Sequence, residues 1–281
     1  MDRRQQATGT GRGRKTMKTH TVFCLALALL CADAAAQTQP PPTQPSLTGN
    51  PPQFYKYLPP AKTIDTSLPR PTARLPPGLT RIFDGKTLKG WRADPAASWM
   101  VKDGIIGSLG VGRGVLFTLR QYRRYRVVFD VRHVSGNPDH QACVLFFGLM
   151  PEFDRNAPDM LKGIQFQVPL GGTWDYRDGF HTDGKGAANG NEYDTFPRPP
   201  FDPHQWSRVE ILIDADAGTA RMAVAQPVGS KAIEVGRFHV KAAGRVGPFA
   251  LQMHNEGLFD EYANLAVEEN PKRDALITMA N

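Results

Sequence analysis

Residues 247–269 restrict the fold of this chain more than any other stretch. In their first half, side chains of two kinds alternate: Phe249, Leu251 and Met253 would point one way, and Ala250, Gln252 and His254 the other. A period of two is typical of a half-buried strand, because successive side chains of a strand point to opposite faces. Residues 163–168 repeat the layout, with Gln165 and Gln167 on the less apolar face. The two strands predict a sheet whose outer face binds something polar.

Short strand-like runs continue through the chain from residue 80 onward, and no segment of ten or more residues shows a convincing helical period. The clearest run is 124–134, in which apolar Tyr125, Val127, Phe129 and Val131 alternate with more polar neighbours. Turn signals such as Asp103-Gly104 separate the runs. About eleven to thirteen short strands and almost no helix predict an antiparallel β-sandwich or jelly roll.

The first 36 residues have the pattern of a secretory signal, with a basic lead, the apolar run TVFCLALALLCA and small residues before Gln37. That apolar run is too short to span a bilayer. Met1 or Met17 could be the true start. A lipoprotein attached through Cys31 is less favoured, because Leu30 stands where a small residue is expected. We therefore expect a secreted or periplasmic protein without stable membrane insertion after the signal is cleaved.

Removal of this signal would change the charge and the cysteine content of the chain. It holds six of the 34 Lys and Arg residues and two of the 27 Asp and Glu residues, which leaves 28 basic against 25 acidic residues. We see no basic stripe with interleaved aromatic residues, so nucleic acid is not an expected partner. Cys143 would be the remaining cysteine, which excludes an internal disulfide and favours a small core residue over a nucleophile.

The rest of the chain divides into a linker, a domain and a tail. Twelve of the 24 prolines lie between Pro40 and Pro77, so residues 37–78 are predicted to form an extended, solvated linker. The domain is expected at 79–270 and a C-terminal tail at 271–281. Inside the domain, residues 169–205 form a long polar stretch, and loops of that length are usually functional or mobile.

Several motifs in the same order resemble the 3-keto-disaccharide hydrolase domain family over about residues 80–269: FDGKTLKGW, WMVKDGII, GIQFQ, TWDYRDG, WSRVEI and LQMHNEGLFDEYANLAV. The resemblance implies a concanavalin-like, laminin-G-type β-sandwich, which agrees with the strand pattern. It also implies action on glycosides oxidised at C3. A base removes the acidic C2 proton, the C1 leaving group departs, and water adds to the glycal. Such a site needs a base, a group that stabilises the enolate oxygen and an acid; a divalent cation could fill the second role.

The resemblance gives the polar residues candidate roles. His254 is the first candidate for the base or for a metal ligand, against a structural histidine on a sheet face. Gln252, Gln167 and Gln165 would bind sugar hydroxyls, although the family has Glu where this chain has Gln165. Asp175 and His181 could supply an acid or a metal ligand, or belong to a solvated loop. Trp174 and Tyr176 could stack on a sugar ring.

Three functions remain open on the sequence. The first is an exported enzyme that cleaves modified glycosides by elimination or hydrolysis. The second is a non-catalytic carbohydrate-binding sandwich, which the change from Glu to Gln165 favours, whereas the retained LQ-x-H motif favours the enzyme. The third is a surface interaction domain that binds no sugar.

Overall fold

The alternating runs form antiparallel strands in the computed structural model, which describes residues 68–136, 142–150, 161–169, 172–177, 192–197, 199–240 and 244–279. All of these residues belong to one compact unit, Leu47–Asn281. In chain order the strands are β1 (Thr80–Arg81), β2 (Trp91–Asp94), β3 (Trp99–Lys102), β4 (Ile105–Ser108), β5 (Gly114–Tyr122), β6 (Arg124–Ser135), β7 (Cys143–Phe146), β8 (Ile164–Gln167), β9 (Thr173–Asp175), β10 (Glu192–Thr195), β11 (Ser207–Asp214), β12 (Thr219–Ala225), β13 (Ile233–His239), β14 (Gly247–Met253) and β15 (Phe259–Glu269).

The strands make two antiparallel sheets, and this confirms the predicted fold class. The nine-stranded sheet has the order β10-β13-β12-β11-β6-β15-β4-β3, with β1 added beside β15. The six-stranded sheet has the order β2-β5-β14-β7-β8-β9. Helical structure among the described residues is limited to two short 3-10 turns, Ala96–Ser98 and Ile277–Met279. No helix in the described part of the chain has the length and apolar character needed to cross a membrane.

The hydrophobic core lies between the two sheets and contains one face of each. From the nine-stranded sheet, β6 contributes the alternating residues that the sequence singled out: Tyr125, Val127, Phe129 and Val131. From the six-stranded sheet, β14 contributes Phe249, Leu251 and Met253. The ring centroids of Phe129 and Phe249 are 5.8 Å apart, a distance at which two aromatic rings pack directly across the interface. The period of two therefore identifies the core face of both strands correctly.

Residues 68–78, the end of the predicted linker, lie against the outward face of the nine-stranded sheet. Arg208 in β11 donates to the carbonyl oxygens of Arg74 at 2.8 Å and Ala73 at 3.1 Å. The same guanidinium pairs with Asp130 in β6 at 2.7 Å, and both side chains are almost completely buried. The outward residues of these strands are thus polar but not solvated, which alternation alone does not reveal.

The C-terminal segment 270–279 covers another part of the same outward face. Arg126 pairs with Glu210 at 2.6 Å, and both side chains are buried. Glu210 also accepts hydrogen bonds from the backbone N–H groups of Ile277 at 2.9 Å and Thr278 at 2.8 Å. Residues 68–78 and 270–279 therefore both pack on the outward face of the nine-stranded sheet, whereas the glutamines that the sequence singled out belong to the six-stranded sheet.

Candidate functional site

The outward face of the six-stranded sheet carries the glutamines that the sequence placed there. Ile164 and Phe166 of β8 belong to the core, so Gln165 and Gln167 point away from it. Gln252 of β14 points away from the core in the same manner. All three amides are nearly buried, with exposed fractions of 2% for Gln165, 7% for Gln167 and 1% for Gln252. These amides are therefore buried polar groups, in contrast to solvated surface amides.

The strand register arranges these residues in a row across the sheet. Gln252 is the cross-strand partner of Cys143 in β7, and Cys143 is the partner of Gln167 in β8. Neighbouring strands lie about 4.8 Å apart, so the backbones of Gln252 and Gln167 are separated by roughly 10 Å. Cys143 lies between them, and it is a buried cysteine that forms no disulfide among the described residues.

A second row, one step along the strands, carries the aromatic candidates. Gln165 is the cross-strand partner of Trp174 in β9. The Tyr176 hydroxyl donates a hydrogen bond of 2.6 Å to Oε1 of Gln165. Tyr176 is buried in a small apolar cluster on this face, against which the partly exposed Trp174 also packs. Tyr176 therefore orients Gln165, while Trp174 is the ring that could stack on a sugar.

Asp175 lies apart from these residues. It is the register partner of Ile164, so strand alternation places its side chain on the core side of β9. Arg177 donates to the carboxylate from Nε at 2.9 Å, from Nη2 at 2.7 Å and from its backbone N–H at 3.0 Å, and both side chains are nearly buried. The structure does not bring Asp175 to the outward face beside the glutamines. His181, the other loop candidate, lies outside the described residues.

His254 lies at one end of the outward face. It follows Met253, the last residue of β14, and it is half-buried. Alternation continued beyond Met253 would place the imidazole on the same side as Gln252. That the two side chains act together stays a prediction.

Asp94 is a residue of this end of the face that the sequence did not single out. It ends β2 and is the cross-strand partner of Val115, which is itself the partner of Gln252. Burial raises the pKa of Asp94, and the positive charge of nearby Arg92 opposes that rise. One signal was available: in the run WRAD, Trp91 and Ala93 face the core and leave the two charged residues on the other side.

Residues 78–268 match the family model of the 3-keto-alpha-glucoside-1,2-lyase-like domain. The chain belongs to this family. The match covers β2 to β14 completely and most of β15, so both sheets and the whole outward face belong to the family domain. The resemblance noted on the motifs is confirmed.

Comparisons beyond the family model give distant likenesses. One is a protein of Parabacteroides distasonis ATCC 8503, provisionally described as a glycosyl hydrolase: 15% identity, TM-score 0.48, covering 69% of this chain and 95% of that chain. A second protein of that organism with the same description gives 13% identity, TM-score 0.45 and coverage of 68% and 98%. A carbohydrate binding module from Bacillus subtilis gives 11% identity, TM-score 0.42 and coverage of 64% and 96%. No curated protein matches the sequence significantly.

The described residues of this family member do not form a set of metal ligands. Within the described ranges, no three His, Cys, Asp or Glu side chains converge closely enough to hold an ion. The outward face offers mainly amide groups, whereas divalent cations in proteins favour carboxylates or imidazoles as ligands. We therefore derive no chemical step through a metal.

Proposed function

We propose that the domain cleaves glycosidic bonds of glycosides oxidised at C3, on the outward face of the six-stranded sheet. The proposal is supported by the place of His254 in the chain, two residues after Gln252 at the end of β14, within a chain that matches the lyase-like family. A carbonyl at C3 acidifies the C2 hydrogen, so a single neutral imidazole suffices as the base.

The reaction would run in two stages. His254 takes the proton from C2, the electron pair of that bond forms the C1–C2 double bond, and the C1–O bond breaks with the pair going to the departing oxygen. Water then adds to C1 of the resulting glycal and a proton returns to C2, so the net change is hydrolysis. If the glycal is released before water adds, the same site acts as a lyase.

The remaining polar residues of the face would hold the sugar. Gln165 accepts the Tyr176 hydrogen bond through Oε1, which fixes the orientation of its amide and directs the N–H groups elsewhere. Gln167 and Gln252 offer further amide groups across roughly 10 Å, about the width of a sugar ring with its hydroxyls. Trp174 would cover an apolar face of the ring.

A non-catalytic carbohydrate-binding module is the second candidate function. The observation that favours it is Gln165, which has no titratable proton where the family has Glu. The pairing of Asp175 with Arg177 also favours a binding module, because that carboxylate already has a partner.

Incubation of the purified domain with a 3-keto-disaccharide, and separately with its unoxidised parent, tests the proposal. We expect cleavage of the oxidised sugar alone, which chromatography of the products would detect, and the assay is run with and without chelator. His254→Ala should abolish cleavage, whereas His239→Ala, an exposed histidine on the other sheet, should leave the rate unchanged. Binding of the sugar with no cleavage would support the binding module instead.

We also propose that the protein is exported and acts outside the cytoplasm. The support is the basic and apolar pattern of residues 1–36. N-terminal sequencing of the protein recovered from its native host should begin near Gln37. A mature chain that retains residues 1–36 would contradict the proposal.

A further inference from the structure

The proposed reaction leaves one role without a residue: the acid that protonates the oxygen as it departs from C1. Alkoxide is a poor leaving group, so cleavage of a glycoside bond between two sugars needs a proton donor at that oxygen. The sequence candidates for this role were Asp175 and His181. Asp175 is paired with Arg177 on the core side of β9, and His181 lies outside the described residues. Among the described residues, another carboxyl on the outward face is therefore the better candidate.

We propose that Asp94 is the general acid of this site, an inference that rests on the proposed function. Its position supports the role first. The register runs from Asp94 through Val115 to Gln252, so the carboxyl lies on the outward face in the row of the amides. Met253 pairs with Gly114 one step further, at the end where His254 follows. Asp94 and His254 thus approach the same end of the face from different strands.

The separation of the two residues suits an elimination. Two strand spacings of about 4.8 Å lie between Asp94 and β14, and two residues of about 3.4 Å lie between Gln252 and His254. The backbones of Asp94 and His254 are then roughly 12 Å apart, and each side chain extends several ångströms from its backbone. A C1–C2 bond fits in the gap, with the base at the C2 hydrogen and the acid at the oxygen on C1.

The surroundings of Asp94 are those of a group that is available for proton transfer. Its carboxyl is half-buried and makes no hydrogen bond or ion pair with any residue in the described ranges. The carboxylates of the other sheet differ: Asp130 is held by Arg208, and Glu210 by Arg126. Partial burial raises the pKa of Asp94, so it keeps its proton at a higher pH than a solvated aspartate does.

The step balances without a further reactant. As His254 removes the C2 proton, the C1–O bond breaks and the Asp94 carboxyl O–H gives its proton to the departing oxygen. The products are a neutral alcohol, a glycal with its C3 carbonyl and an Asp94 carboxylate. That carboxylate can then take a proton from the water that adds to C1, which restores the acid.

The test uses two 3-keto-glucosides that differ in the leaving group. One releases a sugar alkoxide, which needs protonation, and the other releases nitrophenolate, which does not. In Asp94→Asn we expect the rate on the disaccharide to fall by about 10²–10⁴-fold, while the rate on the nitrophenyl glycoside stays within a few-fold of the wild type. Because burial disfavours the charged form of Asp94, the neutral amide should not destabilise the fold, and the melting temperature checks this.

The controls separate this inference from the proposed function. Asp103→Asn, at an exposed turn between β3 and β4, should leave both rates unchanged. If the wild type cleaves neither glycoside, the proposed function fails. If the wild type cleaves both and Asp94→Asn lowers both rates equally, or neither, Asp94 is not the acid.

Discussion

Replacement of Arg208 by Met should destabilise the domain more than any surface substitution. The guanidinium is nearly buried and pairs with the fully buried Asp130, with Nε–Oδ1 and Nη2–Oδ2 distances of 2.7 and 3.0 Å. It also donates to the carbonyl oxygens of Ala73 and Arg74, and so links β11 to the segment before the domain. Methionine keeps the apolar stem of the side chain but removes all four hydrogen bonds.

The magnitude follows from what remains around Asp130. After the substitution, the Asp130 carboxylate keeps one hydrogen bond among the described residues, from the side-chain amide of Asn264 at 2.7 Å. Removal of one partner of a buried ion pair costs about 3–5 kcal/mol, because the other charge stays buried without compensation. For a domain of this size each kcal/mol lowers the melting temperature by about 2–4 °C, so we expect a decrease of roughly 6–20 °C.

Urea unfolding followed by fluorescence, with calorimetry for the melting temperature, measures the effect. The matched control is Arg120→Met, which breaks the Arg120–Glu269 pair, whose side chains are 66% and 36% exposed. An exposed pair contributes about 0–1 kcal/mol, so this variant should resemble the wild type. If Arg208→Met also lies within about 1 kcal/mol of the wild type, with an unchanged urea slope, Asp130 is not dependent on Arg208 and the reasoning is refuted.

Two further predictions concern a buried acid and a buried tyrosine. Burial raises the pKa of Asp260, against a hydrogen bond and charge from His133, so the folded state holds the proton more tightly than an unfolded chain with its ordinary pKa of 3.8. The stability that this group contributes is therefore lost as the pH rises above about 3.8. The urea midpoint of Asp260→Asn should rise relative to that of the wild type from about pH 4 to 7. A difference between the two midpoints that does not change with pH would contradict this. Tyr176→Phe leaves Oε1 of Gln165 buried without its donor, so we expect the free energy of unfolding to fall by about 1–3 kcal/mol. Sugar binding measured by calorimetry should also weaken, and an unchanged affinity would show that Tyr176 does not position Gln165.

The sequence predicts the sheets well because a strand with one face in the core must alternate. Phe249, Leu251 and Met253 enter the core, and Gln252 does not. The same rule cannot tell whether the other face is solvated. Arg126 and Glu210 lie on that other face and read as surface residues, yet both are buried beneath the C-terminal segment. Coverage by a distant part of the chain leaves no local pattern.

The candidate site was predicted in part for a related reason. Gln165, Gln167 and Gln252 belong to strands that the alternation identifies, so their common face could be inferred. His254 directly follows one of these strands. For Asp94, the alternation in WRAD indicates only that the side chain faces away from the core. Its place in the row depends on β2 pairing with β5, and cross-strand register is a long-range property that a short run does not encode.

The outward faces of the two sheets differ in their polar groups: one carries buried ion pairs, and the other chiefly amides. On the nine-stranded sheet, the carboxylates of Asp130, Glu210 and Glu261 each accept a hydrogen bond from a buried arginine. A carboxylate held in this way stabilises the fold and is poorly suited to exchange a proton with a ligand. On the six-stranded sheet the outward polar groups are chiefly amides, which bind but do not titrate. Among the described residues, His254 and Asp94 lie at one end of this face. In the proposed reaction these two groups would transfer the protons, and the amides would hold the sugar.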